Sequence, residues 1–310
     1  MRRTPRKTPT ELSRLPTEQT NRASADLDLK SSLEFARIIN AEDAKVAAAV
    51  KRALPQITRA IDLIASALKG GGRLIYVGAG TSGRIAAFDA VECPPTFNTD
   101  PRTVQFVIAG GPKALGAAVE ANEDSRALGA REIAKKKPGR NDVVAGIAAS
   151  GRTPFTVAAV EYARRHRAKT IAVTCNRNSP LEKAADLAIV TQVGPEAISG
   201  SSRMKAGTAQ KMVLNMLSSG AMTRLGYVYG NLMVNVHLKN EKLEERGVSI
   251  LQRAAGVSRE AAQQALKKAG NSVPVALVML QAGVGRADAR RALKSVAGHV
   301  RRAIAAARSL

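Results

Sequence analysis

LIYVGAGTSGR, at residues 74–84, is the stretch that decides the fold. Its first four residues are aliphatic or aromatic, and a glycine-rich turn follows at once. A short buried strand that ends in such a turn and leads into a helix is typical of a parallel α/β sheet. In sheets of this kind, ligands bind beyond the carboxyl ends of the strands. We therefore expect the chemistry in the loops that follow the strands.

Four more apolar runs predict strands, at residues 104–108, 143–147, 170–174 and 187–190. Candidate helices alternate with them, so the pattern predicts βαβ units and a parallel sheet flanked by helices.

The two ends of the chain have a different composition. Residues 1–20 mix proline, threonine and basic residues and are predicted to be a mobile basic arm. Apolar periodicity predicts helices over residues 21–62, with a break near 40–43, and a long helix over 204–225. The C-terminal region, residues 227–310, is predicted to be a small helical module with helices near 258–268, 273–280 and 286–307.

Composition excludes several classes of protein. With 45% hydrophobic residues in 310, the chain can bury a core, and 3% aromatic residues disfavour binding of single strands by stacking. The net charge of +23 attracts anions but does not identify a partner.

The two cysteines and three histidines have no metal-ligand spacing, so we expect no metal and no cofactor. No run is suited to crossing a membrane and no leader segment is recognisable, which predicts a cytoplasmic protein.

Three turns rich in Ser, Thr and Gly follow predicted strands and precede helices. One such turn alone is usually a helix cap. Three at one sheet edge are expected to converge on a small phosphorylated ligand, because their N–H groups and hydroxyls donate to anions. The candidate binding residues are Gly80, Thr81, Ser82 and Gly83 in the first turn, Ser150, Gly151 and Thr153 in the second, and Ser201 and Lys205 in the third. The first turn also matches GxGxxG, a motif of dinucleotide-binding proteins. Dinucleotide binding is disfavoured, because no acidic residue stands at the end of a second strand to hold a ribose.

Two carboxylates are candidates for acid–base chemistry near these turns. Glu92 follows the helix that begins at the first turn and precedes Pro94-Pro95, which would stiffen a loop. Glu123 follows the predicted helix after the second strand. Spacing alone favours a solvated surface acid at each position, so pairing the two needs further evidence.

Together these motifs resemble one family, the N-acetylmuramic acid 6-phosphate etherases, which are built on the sugar isomerase (SIS) domain. The resemblance extends from about residue 15 to 304, and its blocks are residues 17–18, 21, 24, 78–84, 92–96, 120–124, 146–154, 201–210 and 230–233. It implies a parallel-sheet SIS domain over about residues 63–226 and a homodimer. It also implies cleavage of the lactyl ether of N-acetylmuramic acid 6-phosphate to N-acetylglucosamine 6-phosphate and D-lactate in cell-wall sugar recycling.

The resemblance also assigns roles. Glu92 matches the family's proton-donor glutamate and Glu123 its second catalytic glutamate. The implied route is elimination, in which Glu123 removes the C2 proton and Glu92 protonates the departing lactyl oxygen, and water then adds at C3. The chain departs from the usual pattern at Ala121-Asn122, Asn235 and His237.

Three other hypotheses remain open at this point. A non-catalytic sugar-phosphate sensor would share the fold but would not need the two acids. A phosphosugar isomerase would share the chemistry at C2 but would not need an acid directed at a C3 leaving group. The positive charge could also serve binding to nucleic acid or another anionic surface, which would not exclude an enzyme.

Overall fold

Five strands form one sheet with the order β2-β1-β3-β4-β5. The computed structural model describes residues 15–119, 122–236, 238 and 241–309. The strands are β1 (Leu74–Gly78), β2 (Val104–Ile108), β3 (Val143–Ile147), β4 (Lys169–Thr174) and β5 (Leu187–Val190). β1, β3, β4 and β5 pair in parallel. The five predicted strands and the parallel α/β class are confirmed.

Both faces of the sheet are covered. Every residue of β1 and β3 is buried, which explains why these strands are continuous apolar runs rather than alternating ones. Ile75 and Val77 pack with Phe155 in a core on one face. Tyr76 lies on the opposite face because side chains alternate along a strand, and its hydroxyl donates to Asp89 at 2.9 Å.

The chain divides into two compact units. The first comprises the residues up to Ala90 together with Gln105–Leu217, and the second comprises Val91–Val104 with Ser218–Leu310. The helices that begin in the first unit are α1 (Ser32–Arg52), α2 (Leu54–Lys69), α3 (Gly80–Phe97), α4 (Arg126–Ala134), α5 (Pro154–Arg165), α6 (Pro180–Ala184) and α7 (Lys205–Arg224).

The second unit has its own helical core. Its helices are α8 (Glu241–Ala255), α9 (Arg259–Lys268), α10 (Val273–Ala282), α11 (Arg286–Ser295) and α12 (Val300–Arg308). Leu251, Leu266 and Leu277 come from three of these helices and pack in one buried cluster. Within the described residues, no helix combines the length and the apolar character that a bilayer crossing requires.

Two helix boundaries differ from the prediction in the N-terminal half. α1 continues through residues 40–43, because Glu42 is buried there and forms ion pairs instead of ending the helix. The break falls at Ala53, and the next helix begins at Leu54 with Pro55 in its first turn. α3 continues through Pro94 and Pro95 to Phe97, so Glu92 lies within a helix and not in a loop after it. Both prolines lie near the end of α3, where the N–H of Asn98 still bonds to the carbonyl of Pro94.

Further differences concern single segments. A 3₁₀ turn, Gly111–Leu115, follows β2 where a longer helix was expected. The predicted helix over 286–307 is two helices, because Ala297 and Gly298 both adopt positive φ. The helix α8 was not predicted.

The predicted arm lies outside the described residues up to position 14. Beyond it the chain is docked, with Leu15 and Thr17 buried. The Thr17 hydroxyl accepts a hydrogen bond from Asn176 Nδ2 at 3.1 Å. The C-terminal end of the predicted arm, residues 1–20, therefore contains buried residues, and the mobility of the arm stays a prediction.

Candidate functional site

The first glycine-rich turn folds tightly between β1 and α3. A Cβ at Gly78 would lie 2.8 Å from the nitrogen of Gly83, and a Cβ at Gly83 would lie 2.6 Å from Ile108 Cγ1. Only glycines allow the backbone to approach this closely. The turn therefore places the first N–H groups of α3 at the carboxyl edge of the sheet, as an anion site requires.

Glu123 lies against this first turn. Gly80 has φ +51°, and a Cβ there would be 3.1 Å from Glu123 Oε1. The backbone carbonyl of Glu123 accepts the N–H of Phe155 in the first turn of α5 at 3.0 Å. The structure thus brings the predicted carboxylate to the first turn and fixes its main chain at the helix that follows the second turn.

Arg84 ties the chain that leads toward Glu123 to the start of α3. Its Nε donates to the carbonyl of Ala114 at 2.9 Å, and its Nη2 donates to the carbonyl of Ala117 at 2.6 Å. The guanidinium thus holds the segment after β2 against the helix that carries the first turn. Arg84 ends the glycine-rich stretch in the sequence, but its position there did not predict this contact.

The second turn is supported from beneath by the loop after β4. Gly151 has φ +68°, and a Cβ there would lie 2.3 Å from Ser179 Oγ. Its carbonyl accepts the N–H of Leu181 at 2.9 Å. The Ser150 hydroxyl accepts the N–H of Arg152 at 3.2 Å. Thr153 is the N-cap of α5 but makes no side-chain capping bond, so its hydroxyl is not used by the helix.

Ser82 in the first turn is buried and donates to Gln210 Oε1 on α7 at 3.0 Å. Gln210 is 1% exposed, and its Nε2 has no hydrogen-bond partner in the described structure. The neighbouring Thr81 is half-buried and lies close to Gly207. The first turn is therefore packed directly against the helix that begins at the third turn.

The third turn differs most from its predicted role. Lys205 is 2% exposed, and its Nζ donates to Glu42 Oε2 at 2.6 Å. The Glu196 carboxylate accepts the N–H groups of Lys205 and Ala206, each at 2.9 Å. The start of α7 is thus already occupied by a carboxylate, and the Lys205 charge is used in an ion pair. Ser201 is half-buried, and its carbonyl accepts the N–H of Met204.

Burial and ion pairing set the pKa values in this cluster. Burial opposes ionisation of Glu42, but hydrogen bonds from Lys205 and Lys45 outweigh it and lower its pKa to about 2. Burial raises the pKa of Glu196, against the opposing effect of the backbone N–H groups that it accepts. Sequence reasoning missed both acids, although Glu42 is spaced on the helix with the buried Val46, Ala49 and Val50.

Glu92 is exposed on α3 and belongs to the second compact unit. Its pairing with Glu123 therefore stays a prediction. Of the departures from the family pattern, Asn235 donates to the carbonyl of Phe97 at 2.7 Å. Ala121 and His237 lie outside the described residues.

No group of three or more His, Cys, Asp or Glu side chains in the described part of the chain could hold a metal ion. Cys93 and Cys175 are both buried, and neither forms a disulfide bond within the described residues. Burial raises the pKa of the Cys175 thiol to about 12, so this thiol is not a reactive nucleophile.

Comparison with known proteins gives the same architecture and a specific family. Residues 56–164 match the model of the glucokinase regulatory protein N-terminal SIS domain, and residues 136–219 match the SIS domain model. The phosphoheptose isomerase structure from Francisella tularensis superposes with a TM-score of 0.51 at 20% identity, covering 63% of this chain and all of that one. That likeness shows the fold alone.

Closer relatives are found among curated sequences. The N-acetylmuramic acid 6-phosphate etherase of Symbiobacterium thermophilum is 57% identical over 271 residues, which cover 87% of this chain and 90% of the relative. The protein of the same name from Klebsiella aerogenes is 48% identical over 294 residues, which cover 95% and 98%. Both the identity and the coverage are those of members of one family. The chain belongs to the N-acetylmuramic acid 6-phosphate etherases, which are carbon–oxygen lyases built on the SIS fold.

Proposed function

We propose that this chain cleaves the D-lactyl ether of N-acetylmuramic acid 6-phosphate with water, giving N-acetylglucosamine 6-phosphate and D-lactate in cell-wall amino sugar recycling. The family relationship supports the substrate and the reaction. The observation that carries the mechanism is the position of the Glu123 carboxylate against Gly80, at the glycine-rich turn that would hold the sugar phosphate.

The reaction would proceed by elimination and addition. In the open-chain sugar the C2 hydrogen is next to the C1 aldehyde, so a base can remove it. Glu123 takes this proton, the C2–H electron pair forms a C2=C3 double bond, and the C3–O bond breaks. Glu92 gives its proton to the departing lactate oxygen, and water then adds at C3. Each proton transfer is expected to contribute about 10²- to 10⁴-fold.

The 6-phosphate and sugar hydroxyls would be held by neutral donors. In the first turn these are the backbone N–H groups of Gly80, Thr81 and Ser82 and the Thr81 hydroxyl, and in the others they are the hydroxyls of Ser150, Thr153 and Ser201. The Ser82 hydroxyl donates to Gln210, and the N–H groups of Gly83 and Gly151 donate to the carbonyls of Ala79 and Ala148, so these predicted donors are already used inside the protein. Backbone N–H groups at a helix start and serine hydroxyls are suited to a phosphate. Lys205 is left out of this set, because its ammonium is bound to the buried Glu42.

A homodimer in the cytoplasm is part of the same proposal. Several large apolar side chains of the first unit are exposed, among them Phe88 at 50% and Leu33 at 59%. Exposed apolar groups of this size are characteristic of surfaces that another protein covers. Sedimentation equilibrium would measure the mass of the assembly, and a purely monomeric protein would refute the dimer.

Product analysis in D₂O tests the reaction. N-acetylmuramic acid 6-phosphate should release D-lactate and leave deuterium at C2 of the N-acetylglucosamine 6-phosphate product. Lactate release without deuterium at C2 would reject elimination, and no lactate at all would reject the etherase activity. Glu123→Gln should abolish both signals, whereas Asp124→Asn, which changes the exposed neighbouring acid, should retain them.

The match to the glucokinase regulatory protein SIS domain favours one second candidate, a non-catalytic sugar-phosphate sensor. A sensor would bind the substrate without turnover. Calorimetry with N-acetylmuramic acid 6-phosphate, run beside the product assay, separates the two functions, because binding without lactate release would support the sensor.

A further inference from the structure

A cavity lies beside the carboxyl ends of β4 and β5, and none of the three turns described above contributes to it. Its volume is about 180 Å³, enough for several water molecules or one phosphate group, since a water occupies about 30 Å³ in the liquid. We call it the arginine pocket. It is lined by Arg52, Ala53, Gln56, Arg177, Glu182, Ala188, Val190 and Gln192.

Two guanidinium groups converge on one residue of the arginine pocket. Arg52 Nη2 donates to the backbone carbonyl of Gln192 at 3.3 Å, and Arg177 Nε donates to the side-chain carbonyl of Gln192 at 2.9 Å. An arginine has five N–H donors, so each guanidinium keeps four for a ligand. Gln192 therefore holds both guanidinium groups on the same side of the arginine pocket.

Among the residues that the structure describes, no carboxylate neutralises either guanidinium. Within the described ranges, Arg52 and Arg177 form no salt bridge, in contrast to Arg73, which is paired with Asp142. Glu182 also lines the pocket, but its Oε2 accepts the backbone N–H of Asn178. The two arginines and one carboxylate leave a net positive charge in a concave site, in a chain that carries +23 overall.

We propose that the arginine pocket binds a small phosphate-class anion through Arg52 and Arg177. Planar guanidinium groups offer paired N–H donors that match the oxygens of a phosphate. The apolar side chains of Ala53, Ala188 and Val190 limit the ligand to one of small size. This site is separate from the proposed sugar-phosphate turns and does not depend on the etherase reaction.

The loop that carries Arg177 also supports the second turn. Asn176 Nδ2 donates to the carbonyl of Ala149 at 3.0 Å, and the N–H of Leu181 donates to the carbonyl of Gly151 at 2.9 Å. An anion in the arginine pocket would thus stabilise a loop on which the Ser150 turn rests.

Titration calorimetry of the full chain with inorganic phosphate at low ionic strength tests the proposal. Loss of one charged hydrogen-bonding group is expected to weaken phosphate binding about tenfold. Arg52→Gln and Arg177→Gln should each show this loss, and the double variant should lose the site. Arg59→Gln, which removes an exposed arginine of α2 outside the pocket, should bind phosphate like the parent.

Circular dichroism on each variant confirms that it is folded. Because phosphate can also enter the sugar-phosphate turns, Ser150→Ala is titrated in parallel, and it should retain the isotherm that the arginine variants lose. The proposal is overturned if Arg52→Gln and Arg177→Gln bind phosphate as the parent does, or if the parent binds none up to millimolar concentration. Turnover of the sugar phosphate by the arginine variants, measured separately, reports on the etherase and not on this site.

Discussion

The Lys205 ammonium donates to the Glu42 carboxylate at 2.6 Å, and the two side chains are 2% and 3% exposed. This buried ion pair joins α1 to the start of α7. The pair favours a structural role for Lys205 over a ligand-binding role, and the two roles predict different effects when the charge is removed.

Lys205→Met should destabilise the protein. It leaves Glu42 buried without its main counter-charge, and breaking a buried pair from one side costs about 3–5 kcal/mol of unfolding free energy. Urea unfolding followed by circular dichroism measures the loss. Lys211→Met, at an exposed position of the same helix, should change stability little. A stable Lys205→Met variant with a raised KM would instead identify Lys205 as a substrate ligand.

Acid should weaken the same ion pair. Because the pKa of Glu42 is lowered from 4.5 to about 2 in the folded protein, its ionisation stabilises the fold above pH 4.5 and this contribution is lost as the pH falls toward 2. Glu42→Gln should therefore differ most from the parent at neutral pH, and the difference should narrow as pH falls. Urea midpoints over this pH range measure it, with Glu244→Gln, an exposed acid of α8, as control. A constant difference would contradict the assignment.

Gly80→Ala should impair catalysis. The new methyl group would lie 3.1 Å from Glu123 Oε1 and would displace the carboxylate. Misplacement of a catalytic group by a fraction of an ångström to an ångström lowers the rate by about 10- to 100-fold. Gly111→Ala is the matched control, since it also has positive φ but no atom within 4 Å of the new methyl group. Equal kcat values for the two variants would show that Glu123 does not take part in the reaction.

Gly151→Ala should cost more stability than Gly194→Ala. Both glycines have positive φ, near +70°, so each substitution carries a backbone strain of about 1–2 kcal/mol. Only at Gly151 would the Cβ also meet Ser179 Oγ, at 2.3 Å, which adds an overpacking cost of about 1–3 kcal/mol. Thermal and urea unfolding of the two variants measure the difference. Equal stabilities would show that the loop carrying Ser179 moves aside without loss of unfolding free energy.

Arg84→Gln should lower kcat more than it raises KM. Its guanidinium donates to the carbonyls of Ala114 and Ala117, so its removal would loosen the chain that leads toward the proposed base without removing a phosphate donor. We expect a loss of about tenfold in kcat, the effect of one or two charged hydrogen bonds. Arg84→Lys, which can reach one carbonyl, should recover part of it. An increase confined to KM would indicate that Arg84 binds the phosphate directly.

The sequence predicted the sheet well because its strands are buried on both faces. The runs at β1 and β3 are buried throughout and are followed by turns that contain glycine and serine, so local composition alone marks them. The position of Glu123 could not be predicted in the same way. It depends on Gly80, Arg84 and Phe155, which are distant in sequence and meet only in the folded chain.

The errors have physical causes as well. The polar residues at 40–43 suggested a helix break, but Glu42 is neutralised by lysines, one of them more than 160 residues away. Pro94-Pro95 suggested a loop, but both residues lie near the end of a helix, where the lost hydrogen bonds are few. Lys205 fits a phosphate turn by its spacing, and only the fold shows that its partner is an internal acid.

Glu196 closes the start of α7 from inside the protein. The partial positive charge at that helix terminus therefore acts on an internal carboxylate, which accepts the N–H groups of Lys205 and Ala206. Cells contain many nucleotides and other polyanions. An open helix N-terminus on a chain of net charge +23 would attract them without selectivity. Because Glu196 occupies the start of α7, ligand selectivity is expected to depend on the shape of the hydroxyl-lined turns and not on charge alone.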